Sequence, residues 1–299
     1  MALAEPSRLT KPLPGGREGA TVVLHPMVCA YMYSPPEFMA MTGGRLKVVR
    51  QVLFARKQQI KIPIVAFLVE HPGVGPMIID TGFHPSVATD PKQNLGRLYA
   101  ALYNIEMQPD QAISAQLRER KGIEPSDVRV AIMTHLHMDH ASAISEFTSA
   151  TYVLGAGEWR AFHGARPKLN GYVRHHVEHA VEYKEVPYDS PVIDSYSTFG
   201  RAYDLFGDGS VRLVATPGHT HGHQSVILRL KDREALVTGD AIYFTRTLDD
   251  ERRGWAMADE HKWHRSIGEI RLYRRENPDA LIIPGHDPEA WATLLPKYE

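Results

Sequence analysis

The chain has 299 residues, 43% of them hydrophobic and 23% charged, enough apolar material to bury a large core and too much for general disorder. Lys plus Arg number 34 and Asp plus Glu 35, a net charge of −1 that argues against a dedicated nucleic-acid binder and against a polybasic membrane tether. The single cysteine, Cys29, excludes an intrachain disulfide and a zinc site built from several thiolates.

Residues 1–20, punctuated by Pro6, Pro12, Pro14, Gly15, Gly16 and Gly19, predict a loose N-terminal arm. A short strand is expected at 21–24. Cys29 lies in the apolar run 27–32 and reads as a small core hydrophobe rather than a nucleophile. Residues 31–44 read as irregular, broken by Pro35-Pro36 and Gly43-Gly44 yet rich in Tyr, Phe and Met. Residues 64–70, a turn over 71–76 and residues 77–80 predict a β-hairpin that ends in Asp80-Thr81-Gly82. A helix is expected over 111–120 with Gly122 as its C-cap. A strand over 127–134, a helix over 141–147, a strand over 151–154 and a helix from 158 to 162 follow. Residues 171–185 are polar, histidine-rich and weakly helical. Strands at 211–216, 225–230 and 234–238, a helix over 258–275 and a strand at 280–283 complete the alternation. No composition shift marks a linker, so a single domain over 1–299 is expected. No secretory pattern opens the chain and its apolar runs are too short to cross a bilayer, so no membrane partner and a cytoplasmic location are expected.

The unusual count is histidine, at 16. His135-Leu136-His137-Met138-Asp139-His140 follows directly on an apolar strand and crowds four side chains able to bind a metal. Imidazoles and a carboxylate packed this densely compete for hydration and partners, which is costly unless something binds them. Three further candidates stand at the C-terminal ends of predicted strands, each just after a glycine: His219 in Pro217-Gly218-His219, Asp240 in Thr238-Gly239-Asp240 and His286 in Pro284-Gly285-His286. Together these make five histidines and two aspartates, enough for two cations sharing one carboxylate.

His-x-His-x-Asp-His, then Gly-His, Gly-Asp and Gly-His, resembles the ordered motif set of the metallo-β-lactamase superfamily over residues 67–286. The resemblance implies an α/β fold, the αββα sandwich, with a dinuclear metal site at one edge. His135, His137 and His219 would hold one divalent cation. Asp139, His140 and His286 would hold the other, and Asp240 would bridge. Zinc is the first choice, with iron, cobalt and manganese also suited to an N/O ligand set. Asp80 would orient a ligand histidine, and His223 would pack beside the ligands. Within the superfamily, Gly218-His219-Thr220-His221-Gly222-His223-Gln224-Ser225, Tyr243 three residues after Asp240, and Leu295-Pro296-Lys297-Tyr298 resemble the N-acyl-homoserine lactonases. Met138 stands where the first-described lactonases carry an aromatic residue, and His221 replaces a common proline.

That likeness implies a carboxylic ester hydrolase that opens the lactone ring of an acyl-homoserine lactone, a small-molecule partner, with a hydroxide held between the two cations. Tyr243 would stabilise the oxyanion, and Asp139 would deliver the proton to the leaving alkoxide. A homodimer is also implied. Another lactone, a thioester or a phosphoester is the alternative substrate, although glyoxalase-type thioesterases carry a further histidine where Leu136 stands. Tyr31, Met32, Phe38, Phe54 and Met138 are candidates for an acyl-chain pocket, because Tyr, Phe and Met are dense in a Pro- and Gly-broken stretch. His163, His175, His176, His179, His261 and His264 are read as solvent-facing or locally satisfied.

Overall fold

The computed structural model describes residues 5–41, 59–164, 170–178 and 182–299. Its strands, in chain order, are β1 (Ser7–Arg8), β2 (Val23–Ser34), β3 (Ile60–His71), β4 (Gly75–Ile79), β5 (Asn104–Glu106), β6 (Val130–Ile132), β7 (Thr151–Gly155), β8 (Glu182–Val186), β9 (Asp194–Tyr196), β10 (Phe199–Asp204), β11 (Val211–Ala215), β12 (Gln224–Arg229), β13 (Glu234–Val237) and β14 (Leu281–Ile283). They form an eight-stranded sheet, in the order β1-β8-β7-β6-β4-β3-β2-β5, and a six-stranded sheet, in the order β14-β13-β12-β11-β10-β9.

The inner faces of the two sheets meet in one apolar core, where Val65, Phe67 and Ile79 of the larger sheet pack with Leu213, Val226 and Val237 of the smaller. Helices cover both outer faces. Ile113 and Leu117 of helix Ile113–Lys121 close over the larger sheet, and Trp263, Ile267, Ile270 and Tyr273 of helix Glu260–Glu276 close over the smaller. This is the expected αββα sandwich. Buried on both faces, its central strands read as continuous apolar runs, which is why they are legible from the sequence.

The hairpin forms as β3 and β4, with Phe67 opposite Ile79. Gly122 caps its helix in the left-handed conformation, with φ 64°. Cys29 is fully buried, and burial pushes its thiol up to about 12, in keeping with the core reading.

Several expectations need correction. The N-terminal segment is pinned rather than loose: β1 pairs in parallel with β8, Leu9 is buried, and Leu13 N–H donates to Leu205 O. The strand expected at 21–24 runs on to Ser34, because β3 on one side and β5 on the other satisfy its backbone despite Pro26. Residues 141–147 hold only the end of helix Met138–Ala141 and a 3₁₀ turn at Ile144–Glu146. Residues 171–185 divide into a 3₁₀ turn at Arg174–Val177 and strand β8. Among the described residues, no helix is long and apolar enough to cross a membrane.

Chain direction places the site. Strands β4 and β6 are parallel, as are β13 and β14, and β11 runs in the same sense as β13 through two antiparallel pairings. Within each sheet these C-terminal ends share one edge, and the donor atoms that converge from both sheets bring the two edges together. Asp80, the 135–140 segment, His219, Asp240 and His286 all leave from there.

Candidate metal centre

The seven expected ligands converge in two groups. His135, His137, His219 and Asp240 offer donor atoms within 4.8 Å of one another, as do Asp139, His140 and His286. Asp240 stands between them. Its Oδ2 lies 3.3 Å from His219 Nε2 and 3.7 Å from His135 Nε2, while Oδ1 lies 3.1 Å from His286 Nε2 and 3.3 Å from His140 Nε2.

Outer hydrogen bonds fix which nitrogen of each ring faces inward. His219 Nδ1–H donates to Ala256 O at 2.9 Å, and His286 Nδ1–H donates to Pro63 O at 2.9 Å. His140 Nδ1–H donates to Asp80 Oδ2 at 2.8 Å. Thr134 uses its own hydroxyl hydrogen on Asp80 Oδ2 at 2.7 Å, so its oxygen, 3.1 Å from His135 Nδ1, accepts from that ring. His137 bonds outward to the Asn170 backbone. The inward nitrogens of His135, His137 and His219, whose rings hold their one hydrogen outward, are therefore bare lone pairs. His219 Nε2 lies 2.9 Å from His137 Nδ1 and 3.2 Å from His135 Nε2 with no hydrogen to share. His140 Nε2 and Asp240 Oδ1 are buried without a hydrogen-bond partner. Converging lone pairs and orphaned buried donors are what a divalent cation satisfies, and the all-N/O set suits one.

Electrostatics separates the two groups. Burial above all pushes His137 and His219 down to about 3 and takes His135 well below its ordinary value, so these rings are neutral ligands. Burial opposes protonation of His140 and His286 too. There the carboxylates win: Asp240, Asp139 and Asp80 hold His140 well above the usual range, and Asp240 with Asp139 raises His286. Asp240 is itself held well below the usual carboxylate range, against the effect of burial, by His286, His140 and His219.

Supporting residues are locally determined. Asp80 holds φ 55°, rare for a side-chain-bearing residue, and accepts from Thr134 N–H at 2.7 Å as well as from Thr134 and His140 side chains. His223 Nε2 accepts Asp240 N–H at 3.0 Å, and its Nδ1–H donates to Thr216 Oγ1 at 2.9 Å. Gly218, at φ 145°, lets the chain pass Trp263 where a Cβ would sit 2.4 Å from its Cα, and a Cβ on Gly285 would sit 2.7 Å from Asp240 Oδ1. The carbonyls of Ala256, Pro63 and Asn170, which orient three rings, carry no residue-type signal and were not expected from the sequence.

The centre forms the floor of a cavity of about 1490 Å³, with Tyr243, Met32, Phe38 and Met138 in its walls. The Tyr243 hydroxyl lies 3.2 Å from His219 Nδ1. Tyr31 does not line the cavity. Side chains alternate along β2, so Met32 and Ser34 face it while Tyr31 turns away under the Lys61 ammonium, 4.2 Å from its ring centroid. Phe54 and His179 lie outside the described residues. Of the other histidines, His163 is exposed and bonds Trp159 O, but His176 is buried and bonds Asn94, distant in sequence rather than local.

Residues 61–286 match the family model of the metallo-beta-lactamase superfamily. The chain belongs to that superfamily. It is 33% identical over 239 residues to the N-acyl homoserine lactonase AttM of Rhizobium radiobacter, an alignment covering 78% of this chain and 85% of that relative. Its fold is similar to that of an N-acyl homoserine lactone hydrolase with the product N-hexanoyl-L-homoserine bound at its catalytic metal center (TM-score 0.73, 21% identity, covering 96% of this chain and 100% of that one). It is also similar to AidC, a dizinc quorum-quenching lactonase in complex with a product (TM-score 0.62, 14% identity, covering 93% and 90%).

Proposed function

We propose that the protein hydrolyses the lactone ring of N-acyl-homoserine lactones and so degrades quorum signals, using two divalent cations, zinc before iron, cobalt or manganese. The observation that carries the reading is Asp240, whose two carboxylate oxygens are divided between two converging donor groups at the floor of a cavity with a partly apolar wall. The 33% identity to a lactonase supports the substrate class.

Cations at this centre supply an acidified water and a polarised carbonyl. The chain's own groups do the rest. Hydrolysis forms one C–O bond from water to the ring carbonyl carbon and breaks the ring C–O bond. The released proton ends on the departing alkoxide. His219 Nδ1 carries its hydrogen toward Ala256 O and so cannot accept from the Tyr243 hydroxyl 3.2 Å away, which leaves the phenol hydrogen free to donate to the developing oxyanion. Burial, with Asp240 and Asp139 nearby, holds the Tyr243 phenol well above its ordinary value, so it remains a donor at neutral pH. Asp139 borders the same cavity, which supports a role in carrying the proton to the leaving oxygen.

The test is acid release from a panel of acyl-homoserine lactones, followed with a pH indicator, with and without chelator. Chelator-sensitive hydrolysis is expected. Turnover of thioesters or phosphoesters with none of lactones would replace the substrate class.

A further inference from the structure

We infer that Glu158 is a positioning residue that locks together the two loops carrying His135, His137 and His219, and so sets the cation affinity of that group. The inference rests on the metal-centre reading above. Glu158 opens the short helix Glu158–Phe162 and is fully buried. It touches none of the seven ligand side chains. Its Oε1 accepts Leu136 N–H at 2.9 Å and the Tyr172 hydroxyl at 3.1 Å. Its Oε2 accepts the Thr220 hydroxyl at 2.6 Å and Gly222 N–H at 3.2 Å.

The identity of these donors carries the argument. Leu136 is the residue between His135 and His137, on the loop leaving the larger sheet. Thr220 and Gly222 follow His219, on the loop leaving the smaller sheet. One carboxylate therefore ties the backbone of one ligand loop to the backbone of the other. Gly222 comes so close that a Cβ there would lie 2.1 Å from Glu158 N. A buried charge is expensive, and it persists where four donors saturate it. Four lone-pair positions meet four donors, two of them backbone N–H groups that cannot reverse. An amide in place of the carboxylate turns an NH₂ toward one of those backbone donors in either orientation. An apolar residue leaves both unpaired.

The other group is not held this way. His140 is oriented by Asp80 and His286 by Pro63 O, and Glu158 reaches neither. Loss of Glu158 should therefore act on one cation and not the other.

The experiment titrates metal-free protein with Co²⁺ against a competing chelator while recording the visible absorption of the bound ion, for the parent, Glu158→Gln and Glu185→Gln. Glu185 accepts Gly157 N–H at 2.9 Å, bracing the same helix start without touching either ligand loop. In Glu158→Gln, affinity for one of two ions is expected to fall about 10- to 100-fold, with an altered absorption band for that ion. Glu185→Gln should match the parent. A Glu158→Gln protein that melts earlier but keeps both affinities and the parent spectrum overturns the inference, because a merely structural carboxylate would give that result. Equal weakening of both ions overturns it as well. If Glu158→Gln does not fold, Thr220→Val removes one of the four donors, and a smaller loss at the same ion is expected; no loss overturns the inference. A parent that binds no cobalt refutes the metal centre itself, which is a separate result.

Discussion

Asp80 Oδ2 lies 2.8 Å from His140 Nδ1, and this contact decides which nitrogen of His140 faces the centre. The same oxygen accepts from the Thr134 hydroxyl, so one carboxylate fixes His140 directly and His135 through Thr134. Asp80→Asn keeps a residue type that tolerates the positive φ. Its amide hydrogens would oppose the His140 N–H and favour the wrong tautomer. Cation affinity is expected to fall about 10- to 100-fold, with metal content dropping toward one ion per chain after dialysis. Retention of two ions would clear Asp80 of this role.

Asp240→Asn removes the anion that both groups share. Metal content and turnover should fall together. His163→Ala, at an exposed ring that bonds only Trp159 O among the described residues, should leave both within experimental scatter. Similar behaviour of the two variants, by elemental analysis and acid release, would mean that ligands and bystanders have been confused.

Tyr243→Phe tests the phenol as an oxyanion donor. Both cations and the fold should be retained, since the ring packing survives. Turnover should fall by roughly 10- to 1,000-fold, the range for partial to full loss of one such donor, with little change in KM. A Phe variant of full activity would remove the hydroxyl from the reaction.

Proton release should separate the two ions. The rings of His137 and His219, at about 3, and of His135, well below its ordinary value, bring no proton for a cation to displace near neutrality. His140 and His286 are raised, so at about pH 6.5, where a free imidazole is half protonated, both are mostly charged in the metal-free protein. Loading beside them must expel protons, and affinity there should rise with pH. Calorimetry in two buffers of different ionisation enthalpy should show one binding phase whose heat depends on the buffer and one whose heat does not. Two buffer-independent phases would contradict the assignment.

Phe38 is the better probe of acyl-chain preference. Its half-buried ring meets Trp255 at 5.8 Å between centroids, whereas Met32 is buried in a cluster with Ile62 and Tyr243. Phe38→Ala should reorder turnover across short- and long-chain lactones. Met32→Ala should also cost roughly 2–5 kcal/mol of stability. An unchanged ranking for Phe38→Ala would take this wall out of substrate selection.

The ligands are legible because four crowd into six positions just past an apolar strand and the other three each follow a glycine at a strand end, local patterns that survive without knowledge of the fold. Their supports are less so. From the residues alone Asp80 is just the end of a hairpin, and its orienting role comes from the family resemblance; Glu158 gives no signal at all, since its partners lie on two loops distant in sequence. Tyr31 departs from its expected place for a related reason. A Pro- and Gly-broken stretch looks irregular, but β3 and β5 extend the pairing to Ser34, and the alternation of a strand then sends Tyr31 and Met32 to opposite faces. The short strands β9 and β10 carry little apolar periodicity and find their place by pairing, β10 with β11 and β9 with β10.

Neither donor group belongs to one sheet. His135 and His137 leave the larger sheet and meet His219 from the smaller; Asp139 and His140 leave the larger and meet His286 from the smaller. Half of the sandwich, folded alone, presents at most two donors to each cation, where three or more are needed. Metal capture is therefore a late event in the life of each molecule, following the docking of the two layers rather than nucleating it. Once captured, the ions act as rivets: peeling one layer from the other means breaking coordination at both. Refolding should run at the same rate with or without cations in the buffer, while unfolding of the loaded protein slows.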